Sequence, residues 1–155
     1  MDKRIDKELD WDSEISYEAP DLVTLPAGTY PFTVMKLERK RFDGSKREGG
    51  LPPCPMAEIT LEARGKEGVS IFTHRLFLHS WCEGFLTAFF TCIGQRQKGD
   101  KLSMDWSQVE GSTGWVVLKV REFTSKNGNE LTTNDVVRWL APDDSRIPRD
   151  EGEDW

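Results

Sequence analysis

Two groups of residues in this chain have types and spacings that could do chemistry. Between positions 36 and 47 stand six cations in twelve residues, Lys36, Arg39, Lys40, Arg41, Lys46 and Arg47, opposed only by Glu38 and Asp43. Between 115 and 123 the pattern alternates with the two-residue period of a strand. Val116, Leu118 and Val120 face one way, and Trp115, Lys119, Arg121 and Phe123 face the other. A face that alternates rings and cations makes poor core and costly idle surface. It suits single-stranded nucleic acid, because rings stack on unpaired bases, at about 1–3 kcal/mol each, while cations track the phosphates. Phe42 and Trp139 are further stacking candidates and Lys126 a further cation, with Phe72, Phe77 and Arg138 extending the same surface.

Catalysis finds little support. The chain has two histidines, and it lacks a phosphate-binding glycine loop, a dinucleotide-binding glycine pattern and a nucleophile elbow. Its acids concentrate at the two ends, where nothing would desolvate or orient them. Asp100, Asp105 and Glu110 lie in a connection without the logic of an acid–base pair. The chain is therefore expected not to be an enzyme and to use no cofactor. His74, His79 and Cys82, with Cys54 or Cys92, have the chemistry of zinc ligands. Strand alternation sends His74 and His79 to opposite faces, so no metal site is expected. The three cysteines form no CxxC pair and read as reduced, buried or half-buried thiols.

These residues need a scaffold, and charge divides the chain into three. The net charge is -6 over 155 residues. Residues 1–21 carry eight acids and three bases, and residues 143–155 carry six acids and two bases. The body, 22–142, holds sixteen bases and thirteen acids, a small positive excess. Three regions are expected: an acidic extension (1–21), a folded domain (22–142) and an acidic tail (143–155). No apolar run approaches the roughly 20 residues of a membrane span, so a soluble, cytoplasmic protein is expected.

Within the body, a long strand runs from Thr29 to Phe42, followed by a Gly- and Pro-rich loop. A second strand, Met56 to Arg64, turns Ala57, Ile59, Leu61 and Ala63 inward, and a third runs from Val69 to Leu78. Ser80 and Glu83 read as a capping box for an apolar helix from Trp81 to Ile93, ended by Gly94. Trp115–Thr124 and Glu130–Leu140 are the last two strands, joined at Asn127-Gly128 by a tight type I′ hairpin. The order β-β-β-α-β-β is that of the OB-fold, a mainly β, five-stranded, partly open barrel with one capping helix. In that fold the loop after the first strand borders the ligand groove, so the two basic sets are expected along one groove.

The tail adds a second function. Asp143, Asp144, Asp150, Glu151, Glu153 and Asp154 are expected to keep it disordered, and Trp155 gives it one group able to anchor in a partner's pocket. Such a tail can also fold back onto the basic body and be displaced by DNA. With the body, it resembles the single-stranded-DNA-binding proteins of bacteriophage replication and recombination modules. The matching stretches are Leu25-Pro-Ala-Gly-Thr-Tyr30, Gly114-Trp-Val-Val-Leu118 and Asn134-Asp-Val-Val-Arg-Trp-Leu140. The resemblance implies sequence-independent coating of single-stranded DNA in the host cytoplasm and recruitment of a polymerase, helicase or recombinase through the tail. The tail departs from the bacterial pattern in holding Ile147-Pro148 and no proline before the final aromatic. A protein-binding adaptor on the same barrel is the alternative. An acidic DNA mimic fits poorly, because the middle of the chain is basic.

Overall fold

The computed structural model describes residues 8–14, 21–97 and 99–148. Five strands form one sheet: β1 (Gly28–Phe42), β2 (Cys54–Gly65), β3 (Gly68–Phe77), β4 (Thr113–Thr124) and β5 (Glu130–Leu140). One short helix, α1 (Glu83–Cys92), lies between β3 and β4. The expected β-β-β-α-β-β order is thus observed, and the spatial order is β3-β2-β1-β4-β5 with every neighbouring pair antiparallel. No helix among the described residues is long and apolar enough to cross a membrane.

The sheet curls until its edge strands approach, but no ladder joins them. Ser70 of β3 donates its hydroxyl to Oδ1 of Asn134 on β5 at 2.7 Å, and the His74 ring meets Trp139 edge-on at 5.2 Å. The two edges therefore run past each other in the same direction. Residues 21–25 occupy part of the seam between them. Leu22 bridges Val69 in parallel, with Val23 N donating to Val69 O and Val69 N to Asp21 O, both at 2.9 Å. On the other side, Leu25 N donates to Asn134 Oδ1 at 2.9 Å, and Asn134 Nδ2 returns a bond to Leu25 O at 2.8 Å. Asn134 is 1 % exposed, and all its amide atoms have partners, as a buried amide requires.

The core fills the inside of the curl. Ala57, Ile59, Leu61 and Ala63 of β2 are buried, as the alternation implied, with Phe32, Val34, Val116 and Leu118 beside them. From α1, Leu86, Phe89, Phe90 and Cys92 enter this core. Phe85, on the same apolar helix, is instead 70 % exposed, and Trp81 before it is 61 % exposed. The capping box does not form either. A 3₁₀ turn at Ser80–Cys82 delays the α-helix to Glu83, and the cap is His79, whose Nδ1 accepts from Trp81 N at 3.1 Å. Gly94 ends the helix at φ +87°.

Two bulges set which residues face outward. On β1 the register slips between Val34 and Lys36, leaving Met35 unpaired. On β5, Val117 pairs with Arg138 but Leu118 with Val136, leaving Val137 as the extra residue. One inserted residue exchanges the faces of everything beyond it. The β4–β5 turn also differs from the type I′ expected. Gly128 N donates to Ser125 O at 2.9 Å, Gly128 has φ +83°, and no non-glycine has positive φ. This is a type I turn closed by a left-handed glycine.

Past Pro142 the chain stays packed for a few residues. Ile147, in the region read as tail, is 7 % exposed and lines one depression with Cys92, Ile93, Trp115, Leu140 and Pro142.

Candidate nucleic-acid interface

Strand register decides where the expected ligands stand. Gly28 of β1 faces Leu118 of β4, and Thr33 faces Thr113. Beyond Leu118, β4 has only β5 beside it, so 119–124 and 130–135 form a two-stranded arm whose base is held to residues 24–25 by Thr132 and Asn134. In the opposite direction, β1 continues past Thr33 with only β2 beside it. Measured along the strands, Arg121 and Lys40 are fifteen residue steps apart, roughly 50 Å of extended chain. The two basic sets thus share no ladder, because β1 and β4 pair only between Gly28–Thr33 and Thr113–Leu118.

Two cations of the first set are held by acids. Lys36 pairs with Glu38 at 2.7 Å. Lys40 pairs with Glu58 at 2.9 Å and Glu38 at 3.4 Å, and Arg75 closes the chain onto Glu58 at 3.6 Å. Lys36, Lys40 and Arg75 thus each have an acid from their own strand or the next, and Trp106 lines a depression with Arg39 and Lys40. Arg39, Arg41, Lys46 and Arg47 are exposed and make no ion pair among the described residues. Phe42 is half-buried, in a T-shaped contact with Phe77 at 5.0 Å.

In the second set Lys119, Arg121 and Phe123 are exposed and Trp115 is half-buried. Trp115, Val117, Lys119, Arg121 and Phe123 follow one another on the outer face of β4, and Lys126 stands exposed in the arm's turn. Arg121 Nε lies 2.7 Å from Asp135 Oδ2, and its guanidinium sits 5.6 Å from the Phe123 ring centre, a distance suited to cation–π attraction. Leu131 is opposite Phe123, and both are exposed. From Trp115 to Phe123 the row spans about 26 Å.

Trp139 is corrected by the structure. It is 8 % exposed and packs edge-on against Phe32, His74 and Phe89 at 5.3, 5.2 and 4.9 Å. Uninterrupted alternation from Asn134 would have turned it outward. The Val137 bulge inverts the parity, so Trp139 enters the core and Arg138 takes the outer face beside Val117.

Other groups are quiet. Cys54 and Cys92 are buried and Cys82 half-buried. Burial pushes the Cys92 thiol up to about 11, and its Sγ donates to Trp115 O at 3.3 Å. Among the described residues no three His, Cys, Asp or Glu side chains group as metal ligands. Of the tail acids, Asp144 is engaged by Arg146 at 2.6 Å, whose hydrogen bonds hold its carboxyl down at about 2. Asp143 is exposed, while Asp150, Glu151, Glu153, Asp154 and Trp155 lie outside the described residues.

Two outward residues of β2, Glu62 and Arg64, had no place in the sequence reading. They line a depression with Pro31, Thr33 and Trp115. Their alternation was legible, but their neighbour on β4 depends on a pairing across β1 that no local pattern encodes. Neither the protein-family models nor the curated proteins compared with this chain match it.

Proposed function

We propose that this protein binds single-stranded DNA, largely without regard to sequence, along the outer face of β4 and the arm it forms with β5. The observation that carries the reading is the row Trp115, Lys119, Arg121, Phe123, joined by Arg138 across the bulge. Rings and cations on an element that leaves the core have little packing to do, and their alternation matches the spacing of bases and phosphates on an extended strand. The exposed cations of the β1–β2 loop would hold a longer strand farther along. The fold is read as an OB-type barrel, supported by the strand order and by β3 and β5 approaching in the same direction. The service is read as phage-type DNA replication or recombination in the cytoplasm, with the acidic tail recruiting a polymerase, helicase or recombinase. The tail would also compete with DNA for the basic row.

A second reading, a protein-binding adaptor, draws on the exposed Trp81 and Phe85 of the helical region. Trp81 stands in the 3₁₀ turn and Phe85 in the first turn of α1, so the two exposed rings flank the start of the helix.

Tryptophan fluorescence during titration with an oligothymidine, beside a duplex of equal length and at two salt concentrations, separates the readings. Quenching by the single strand alone, weaker at higher salt and reduced in Trp115→Phe, is the expected outcome. A folded protein that responds to neither nucleic acid would leave the adaptor.

A further inference from the structure

We propose that the outer face of the sheet holds a slot for one nucleobase, between the Trp115 indole and the Arg64 guanidinium, and that Glu62 biases this slot toward cytosine. The inference rests on the single-strand reading above and refines it: most of the row tolerates any base, and one position discriminates.

Register builds the slot. Trp115 of β4 stands beside Pro31 of β1. On the other side of β1, Thr33 faces Glu62 and Phe32 faces Ala63, so the same register sets Arg64 beside Pro31. Two planar groups therefore flank a floor of small side chains, Pro31 and Thr33, in one depression of about 280 Å³. Two strand spacings separate the walls, roughly 10 Å at the backbone. A base held between two planes needs about 7 Å, twice the stacking distance of about 3.4 Å, which a modest inward lean of both side chains supplies. Guanidinium planes stack on bases much as aromatic rings do.

Glu62 has two roles. Its Oε1 accepts from Arg64 Nε and lies close to Arg64 Nη2, each at 3.1 Å, which orients the guanidinium. Its Oε2 carries no hydrogen bond among the described residues, and Glu62 lines the same depression. A carboxylate accepts from the N4 amino group of cytosine. Thymine, of equal size, presents a carbonyl oxygen at that position, which the carboxylate repels.

The test titrates the full chain with oligodeoxycytidine and oligodeoxythymidine of equal length at low salt, reading tryptophan quenching. The ratio of the two affinities is the measure, because it cancels what both strands share. Glu62→Gln, whose amide can donate to thymine O4, should lower the cytidine-to-thymidine ratio about fivefold. Arg64→Ala should weaken both oligonucleotides. Arg64→Lys, which keeps the charge and loses the plane, should lose quenching as alanine does. A ratio unchanged by Glu62→Gln, or full affinity and quenching in both Arg64 variants, overturns the slot. Failure of the wild type to bind either oligonucleotide overturns the single-strand reading, and the slot with it.

Discussion

Asn134 accepts two hydrogen bonds through Oδ1, from Leu25 N and Ser70 Oγ, and donates two through Nδ2, to the carbonyls of Leu25 and Lys119. One amide thus ties the N-terminal segment, β3 and β4 to β5. Removing it leaves several buried groups without partners, so Asn134→Ala should cost about 3 kcal/mol or more in urea unfolding. Asn134→Asp should do no better, since a carboxylate cannot donate. The cations divide by what already holds them. Lys36 is committed to Glu38, and Lys36→Ala should change single-strand affinity less than about twofold. Lys119 and Arg138 have no acid partner among the described residues. Replacing both with alanine should reduce the slope of log affinity against log salt by about 1.4, the value for two phosphate contacts on a single strand. Titration at four salt concentrations checks both expectations.

At the scale of elements, the β4–β5 arm is where stability and binding separate. Phe123 and Leu131 face each other near its end and are exposed. Changing both to serine should cost less than about 1 kcal/mol of stability by chemical denaturation, while oligothymidine affinity falls about tenfold through lost stacking. The order of elements, the inward face of β2 and the outward row of β4 were all legible in the sequence, because each follows from local alternation. What local pattern does not carry is the bulge. Met35 and Val137 look like ordinary strand residues, yet each shifts the faces beyond it, which is why Trp139 reads as a surface ring and sits in the core. Register is equally silent: nothing near Lys40 or Arg121 says that β1 and β4 overlap only from Gly28 to Thr33. Ile147 was hidden by its company, one apolar residue amid acids whose pocket is assembled from α1, β4 and β5.

For the molecule as a whole, one half-buried imidazole makes stability depend on pH. Desolvation lowers His74 to about 4, partly opposed by Asp135. The native state therefore keeps the ring neutral while the unfolded chain takes a proton near pH 6.5. Stability is full above that value and falls as pH drops toward about 4, by up to about 3 kcal/mol. Urea midpoints between pH 7.5 and 4.5 should show the decline, and His74→Phe, which keeps a ring against Trp139, should flatten it.

The seam between β3 and β5 has a kinetic consequence. The bonds that close it join residues 64 and 109 positions apart. Hairpins β2–β3 and β4–β5 can each form from neighbouring chain, but residues 21–25 have only half of their place until β5 exists. Closing a loop of that length must precede any gain from the contacts it makes. Folding should therefore run from the two hairpins to the curled sheet and finish with the insertion of residues 21–25. During synthesis, the part of the body made first is the last to find its seat.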